Sequence, residues 1–360
     1  MSHSNVQADF LALQKSLSNL RALLRSFQTA LHSPTPPPPQ MQNAPNPFAL
    51  LSDASKLLKA QTTKLSLLLL HQPFSPKEVN FILNTLLKSV CPALMSGLEL
   101  CPPQRYTRVL HQHVKSSLVI FWREMGSLLA CVPENQQNAR NDDDREKDVR
   151  SSTGMLWDSS DKLTEVAEKG LVWFLDRKVG EYADLVEDAI RELEEWDPED
   201  EDEDDKDSDA EEDIVKTPTT SDEEKMEIML SISPQIALKA KVLKALRLIR
   251  MLYSALRKRR VATFPNIRKS TAECDMPLYE QISSLNTLVS TTQFLSEETD
   301  ELAGALYAND VEAVGERLKD LHGQAIGCTL ILKKSWHGKE DEFSSWTDKW
   351  AGRLEDLKNN

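Results

Sequence analysis

The feature that most constrains this chain is a run of acidic residues near its middle, which reads ELEEWDPEDEDEDDKDSDAEE from Glu192 to Glu212. Residues 192 to 213 hold 16 carboxylates and one lysine, whereas the net charge of all 360 residues is −14. So dense a block of like charges repels itself and cannot bury enough apolar area to offset the loss of conformational entropy. We therefore predict a disordered acidic linker over residues 197–233, with a folded part on either side.

Most of the remaining chain shows apolar residues spaced three and four apart, and it contains only 11 glycines. This spacing is typical of amphipathic α-helices. We predict an all-α fold in which two antiparallel helical bundle halves are separated by the disordered acidic insert. The predicted parts are residues 1–47 (an N-terminal heptad helix and a proline-rich linker), 48–196 (an N-terminal bundle) and 234–360 (a C-terminal bundle). Helices are expected at 48–71, 76–98, 103–131, 153–175, 177–195, 234–260, 276–307, 310–334 and 341–357, with an exposed loop at 135–151.

The first helix carries a heptad seam of apolar residues. Its candidate partner-binding residues are Phe10, Leu13, Leu17, Leu20, Leu24 and Phe27. The flanking positions have almost no complementary charge, and Leu23 widens the apolar stripe. Two interpretations stay open: an ordinary bundle helix, and a helix that binds a partner or a second copy.

A basic helix follows the acidic run and ends in four consecutive cations, Arg257, Lys258, Arg259 and Arg260. These residues have three interpretations: cations that suit the negative end of a helix, a nuclear localisation signal, and a nucleic-acid patch. Because no extended basic surface accompanies them, we expect no direct binding of nucleic acid.

Two further patterns bear on regulation. Ser208 and Ser221 have an acidic residue three positions on, and Thr217 precedes a proline, so all three are phosphorylation candidates. Near the C-terminus, Phe343, Trp346 and Trp350 share one side of a short helix, which indicates either core packing or a docking helix.

No motif in the chain points to catalysis, a metal or a cofactor. His111 and His113 are two residues apart on a predicted helix and point in opposite directions, so they do not form a metal site. The five cysteines show no CxxC spacing, which favours free thiols in a reducing compartment. The most apolar run, residues 65–70, is far too short to span a bilayer, so we expect an intracellular protein without membrane contact.

Four helical segments occur in an order that resembles the cyclin-D-binding protein family, also called the GCIP family. They are LSLLLLHQPFSPKEV (65–79), TRVLHQHVKSSLVIFWREMGSLL (107–129), TGMLWDSSDKL (153–163) and LKALRLIRMLYSAL (243–256). The resemblance implies a non-enzymatic regulator of nucleus and cytoplasm that binds D-type cyclins or helix-loop-helix transcription factors. Such a protein negatively regulates cell-cycle progression and transcription by sequestering its partners.

Two other functions fit parts of the sequence. A long acidic tract on a helical scaffold suits a histone or basic-protein chaperone, whose binding would weaken steeply with salt. Long antiparallel bundles also occur in vinculin-like cytoskeletal scaffolds, for which actin co-sedimentation is the test.

Overall fold

The computed structural model describes residues 3–33, 45–71, 73–135, 143–197, 234–265 and 276–359. Within these ranges all regular secondary structure is helical, which confirms the all-α fold class. The α-helices are α1 (His3–His32), α2 (Pro47–Leu70), α3 (Pro76–Thr85), α4 (Cys91–Glu99), α5 (Pro103–Tyr106), α6 (Arg108–Ala130), α7 (Asp143–Lys169), α8 (Leu171–Glu195), α9 (Pro234–Leu256), α10 (Met276–Tyr307), α11 (Val311–Ile331) and α12 (Glu342–Asn359). The segment Leu86–Val90 joins α3 to α4 as a π-helical turn, and Arg257–Val261 continues α9 in the same way.

Prolines and short polar side chains set several helix starts. Pro47 begins α2, and the Oδ1 atom of Asn46 accepts a hydrogen bond from the backbone N–H of Phe48 at 2.9 Å. Pro76 and Pro234 likewise stand at the first position of α3 and α9. A proline costs nothing there, because the first N–H groups of a helix have no partner within it. The helix starts predicted at residues 76 and 234 are confirmed, whereas Pro47, predicted as the last residue of the extended linker, is the first residue of α2.

The chain divides into two compact units. The first contains Met1–Phe174 and Asn266–Ser283, and the second contains Leu175–Pro265 and Ser284–Asn360. In the first unit α7 packs against α2 and α6, and α1 packs against α3 and α6. In the second unit α9 packs against α11 and α12.

The boundary between the units differs from the predicted domain boundary at residue 196. From Leu175 onward, α8 is grouped with the C-terminal half of the chain. Three ion pairs contribute to this grouping, because carboxylates along α8 pair with arginines that follow the acidic run in the chain.

The N-terminal end of α7 also differs from the sequence prediction. Residues 143–151, predicted as part of an exposed loop, form its first two turns. Asp143 and Asp144 lie in the first turn, where carboxylates interact favourably with the positive end of the helix dipole. Arg150 pairs with Glu146 one turn away, and Val149 is fully buried. The polar composition of this segment therefore reflects a solvated helix face.

The helix break predicted at residue 176 lies instead at Gly170. This residue has a φ of +85°, and its N–H bonds to the carbonyl oxygen of Val166 at 2.8 Å. A left-handed glycine commonly terminates an α-helix in this way.

Several predictions concern residues outside the described ranges. The acidic linker after Asp197 is among them, with the phosphorylation candidates Ser208, Thr217 and Ser221. Most of the proline-rich linker and Cys274 also lie there.

One helix in the described part of the chain, Pro76–Glu99, is long and apolar enough to cross a membrane by length and composition alone. Half of its most apolar window is buried inside the protein. Val79, Leu83, Leu86 and Val90 are fully buried on its inner face. Packing in the first unit thus accounts for this apolar character.

Candidate interaction surfaces

The apolar seam of α1 is buried within the first unit. The seam leucines are at most 3% exposed: Leu13, Leu17, Leu20 and Leu24. At its ends, the ring of Phe10 lies 6.1 Å from that of Phe74, and the ring of Phe27 lies 5.7 Å from that of Trp122. The structure places α1 as an ordinary bundle helix, and while α1 is docked its seam is not available to a partner.

The basic cluster after α9 is engaged in contacts inside the second unit. Arg257 forms a two-bond ion pair with Asp176, with N···O distances of 2.8 and 2.9 Å. Arg259 pairs with Glu342, whereas Lys258 is exposed. The pairing with Asp176 also depends on Gly180, because a Cβ there would come within 3.3 Å of the Arg257 guanidinium.

Arg260 is the most deeply buried member of the cluster, with 1% of its surface exposed. Its Nε donates to the carbonyl oxygen of Leu332 at 2.7 Å, and its Nη1 and Nη2 bond to both carboxylate oxygens of Asp341 at 2.8 and 3.0 Å. The remaining two N–H groups donate to the carbonyl oxygens of Arg259 and Lys333. All five donors of the guanidinium are therefore satisfied.

These contacts bear on the three interpretations of the cluster. Arg260 is buried, but Arg257 and Arg259 keep 37% and 49% of their side-chain surface exposed beside their carboxylate partners, and Lys258 is exposed. The contacts fit best the interpretation in which the cations stabilise the end of a helix, and the localisation signal stays a prediction.

The basic stripe along α9 is also partly engaged. Arg250 bonds to Glu187 of α8 at 2.8 and 2.9 Å, and Arg247 bonds to Glu194 at 2.7 Å. Together with the pair between Arg257 and Asp176, these contacts tie α8 and α9 in antiparallel order. One carboxylate at the start of the acidic run, Glu194, thus has a cationic partner within the second unit.

The first residues of the acidic run are held by aromatic and cationic contacts. The ring of Trp196 packs edge-on against Tyr307 with centroids 4.9 Å apart, and the Nζ of Lys239 lies 5.8 Å from the Trp196 ring centre. The same ammonium group donates to the carbonyl oxygens of Glu194 and Trp196. Lys239 thereby satisfies carbonyls at the C-terminal end of α8, which has no basic residue in its own last turn.

A ladder of polar contacts joins α2 and α7 on the surface of the first unit. The contacts run in antiparallel order: Lys56 with Glu168 (2.6 Å), Lys59 with Asp161 (2.7 Å), and Trp157 Nε1 with Thr63 Oγ1 (3.0 Å). The hydrogen bond from Lys56 lowers the pKa of Glu168. The ladder fixes the register of the two helices.

One turn beyond this ladder, the helix register brings two exposed apolar side chains to the same part of the surface, which we call the Trp157 notch. Its sides are Leu67 and Trp157, which are 62% and 39% exposed. By the register of the ladder, residue 153 stands opposite Leu67, and at its exposed neighbour Gly154 no atom lies within 4 Å of the position that a Cβ would occupy. The notch therefore combines an exposed leucine, an exposed indole and space beside them. Its exposure could not be inferred from the sequence, where Trp157 and Leu67 both belong to helical apolar patterns.

The aromatic residues near the C-terminus belong to the core of the second unit. Phe343 and Trp350 are 1% and 2% exposed, and Trp346 stacks between them with ring centroids 5.6 and 6.0 Å away. The Nε1 of Trp350 donates to the carbonyl oxygen of Leu248 at 2.9 Å. Of the two interpretations drawn from the sequence, core packing fits this helix, because Phe343 and Trp350 are buried and not available to a partner.

Two histidines and two cysteines of the first unit pack against other residues of the fold. His111 is buried with its Nδ1 2.8 Å from the carbonyl oxygen of Cys101, and the ring of His113 lies 5.0 Å from that of Phe174. Burial raises the pKa of the Cys91 and Cys101 thiols to about 12, so both stay protonated at neutral pH. Among the described residues, no three His, Cys, Asp or Glu side chains are grouped so as to hold a metal ion.

Comparison with known proteins gives a family for part of the chain. Residues 50–199 match the family model described as "Grap2 and cyclin-D-interacting, N-terminal". An uncharacterized protein of Schizosaccharomyces pombe is 23% identical over 352 residues, which cover 97% of this chain and 96% of that protein. The matched residues contain α2 to α8 and with them the Trp157 notch. The match confirms the resemblance seen in the sequence: residues 50–199 are similar to the N-terminal region of the cyclin-D-binding protein (GCIP) family.

Proposed function

We propose that this protein is a non-enzymatic helical adaptor that binds cyclin-type or helix-loop-helix regulatory proteins and negatively regulates cell-cycle progression and transcription. The observation that carries the proposal is the family match over residues 50–199, whose description names a cyclin-D-interacting region. Residence in nucleus and cytoplasm is part of the proposal and rests on the family resemblance, since the basic cluster 257–260 is engaged inside the fold.

We place the partner contact of this proposal at the Trp157 notch. The notch lies within the family-matched residues and presents an indole and a leucine to solvent. Tryptophan is enriched among the residues that dominate binding energy at protein interfaces. The exposed ion pairs of the ladder would form the polar rim that surrounds such an apolar centre.

Binding of a purified D-type cyclin, and separately of a helix-loop-helix domain, to the full chain tests the proposal by biolayer interferometry. Leu67→Ala should weaken binding about tenfold, because most of a leucine side chain loses its burial at the interface. Since Leu67 is 62% exposed in the free protein, the variant should remain folded. The matched control is Leu185→Ala, which removes a leucine that is 49% exposed in the second unit.

Two outcomes count against the proposal in different ways. If neither partner binds the parent protein, the adaptor function is refuted. If both leucine variants weaken binding equally, the function stands and its placement at the notch is refuted.

A second candidate function, a chaperone of histones or other basic proteins, is favoured by one specific observation. The acidic run starts from a fixed point, because Trp196 and Lys239 hold its first residues against the second unit. Core histones should then bind the parent protein, and binding should fall steeply between low and high salt. A variant with Asn or Gln at the acidic positions of 199–205 should lose that binding, whereas binding at the notch should persist. The vinculin-like scaffold stays a prediction, with actin co-sedimentation as its test.

A further inference from the structure

A polar cavity of about 350 Å³ lies beside α1, on the flank next to its buried seam. From α1 it is lined by Gln14, Ser18, Arg21 and Arg25, among others, and Glu134 lines it from the segment after α6. The cavity thus brings two guanidinium groups and one carboxylate together. None of these residues takes part in the function proposed above.

Glu134 and Arg21 hold each other in place. Arg21 donates from Nη1 to the Oε1 of Glu134 at 2.9 Å and from Nη2 to the carbonyl oxygen of Leu129 at 3.0 Å. Gln14 donates to the backbone carbonyl of Glu134 at 2.8 Å. The charge of Arg21 is therefore balanced, and its orientation is fixed by two groups from outside α1, the Glu134 carboxylate and the Leu129 carbonyl.

Arg25 has no such balance. It is exposed at the wall of the cavity, and no carboxylate in the described part of the chain pairs with it. Among the described residues that line it, the cavity has two guanidinium groups and one carboxylate, a net charge of +1, beside the hydroxyl of Ser18 and the amide of Gln14. A guanidinium in this position can bind a carboxylate by donating two parallel hydrogen bonds to it.

An apolar group lies on the same strip of α1. Leu11 is 70% exposed, and residues 11, 14, 18 and 25 are spaced by three, four and seven positions, which places them on one helix face. Leu11 and Arg25 are then about 21 Å apart along the helix axis. The strip presents an apolar contact at one end and a cation at the other.

We propose that this cavity is a docking site for the carboxylate side chain of an acidic protein segment, with Leu11 as an accompanying apolar contact. A net charge of +1 matches a carboxylate, while Glu134 would repel the second charge of a phosphate. The inference deepens the proposed adaptor function and rests on it for the partner class. It returns α1 to a role in partner binding through its polar flank, while its apolar seam stays in the bundle.

The probe is a blocked 20-residue helical peptide with Leu near one end, Glu about four turns on, and otherwise Ala, Gln and Lys. Binding to the full chain is followed by the ¹⁵N-resolved Nε–Hε signals of arginine side chains and by titration calorimetry. The Arg25 signal should shift when the peptide binds. Arg25→Gln should raise the dissociation constant about tenfold, as expected for a lost charge-assisted hydrogen bond. Lys15→Gln is the matched control, because it removes one exposed positive charge of α1 outside the cavity. It should change binding less than twofold.

The alternatives give distinct results. Equal weakening by both substitutions, or equal binding of a peptide with Gln in place of Glu, would mean general charge attraction and overturn the proposal. Binding of the probe only after the acidic positions 199–205 are neutralised would make the chain's own acidic run the occupant, which also overturns it. If Arg25→Gln loses the probe but still binds the cyclin or helix-loop-helix partner normally, the site is not used by that partner and the adaptor function stands without it.

Discussion

Replacing Arg260 by methionine should destabilise the second unit strongly. The substitution keeps a long side chain but removes five hydrogen bonds, three of them to the carbonyl oxygens of Leu332, Arg259 and Lys333. The Asp341 side chain is 36% exposed, so in the variant water can replace its bonds to Arg260. The loss of stability then comes from the three carbonyl oxygens left without a donor, at about 1–1.5 kcal/mol each. The expected loss is about 4 kcal/mol, which agrees with the range of about 3–5 kcal/mol for breaking a buried ion pair.

The measurement is native-state hydrogen exchange of the full chain, resolved by peptides that cover residues 256–265 and 330–345. It reports on the second unit alone, which a single unfolding curve of a two-unit chain does not. Arg260→Lys should lose about half as much, because an ammonium keeps the charge but cannot form the planar two-bond contact with Asp341. Lys258→Met is the control and should change the free energy of opening by less than about 0.5 kcal/mol, since Lys258 is exposed. A change below about 1 kcal/mol for Arg260→Met would refute the structural role of the cluster and favour its interpretation as a localisation signal.

Three further predictions concern pH, helix propensity and the docking of α1. Hydrogen bonds from Arg260 lower the pKa of Asp341, so this carboxylate stabilises the fold above the usual aspartate pKa and loses that effect as pH falls through the lowered value. Near-ultraviolet circular dichroism should therefore show an acid transition below about pH 4 that is smaller in Asp341→Asn, and identical titrations would contradict the assignment. Gly323→Ala should raise the free energy of opening by about 0.5–1 kcal/mol in hydrogen exchange of peptides that cover α11, because the position is helical with open space around a Cβ, whereas a loss would reveal a close neighbour. Leu20→Ala should cost about 2–5 kcal/mol, but Leu11→Ala less than about 0.5 kcal/mol, and small effects at both positions would mean that α1 is not docked.

Helix positions could largely be predicted from the sequence, because their signals are local. Pro76 and Pro234 mark starts that depend only on the missing N–H of proline. The start of α7 could not be predicted in this way. Its first turns are polar, and the single fully buried residue among them, Val149, gives no periodic pattern.

The role of the basic cluster depends on contacts that sequence does not display. Arg257 and Arg260 each pair with an aspartate 81 positions away in the chain. Four consecutive cations look the same in a sequence whether they are solvated or paired, so the localisation signal, the helix end and the nucleic-acid patch could not be separated. The polar flank of α1 was missed for a related reason, because Glu134 approaches Arg21 only in the folded unit.

The contacts on either side of residues 198–233 bear on how the acidic run is attached to the second unit. Glu194 bonds to Arg247, and Lys239 bonds to the carbonyl of Trp196, so the two ends are held together by the antiparallel pair of α8 and α9. The entropy of closing such a loop changes by only about 0.6 kcal/mol when its length doubles. With residues 198–233 as the disordered linker that the sequence predicts, the stability of the second unit should depend little on their length. Neutralising positions 199–205 then removes the polyanion without unfolding its support, which is why loss of a basic client in that variant can be attributed to charge.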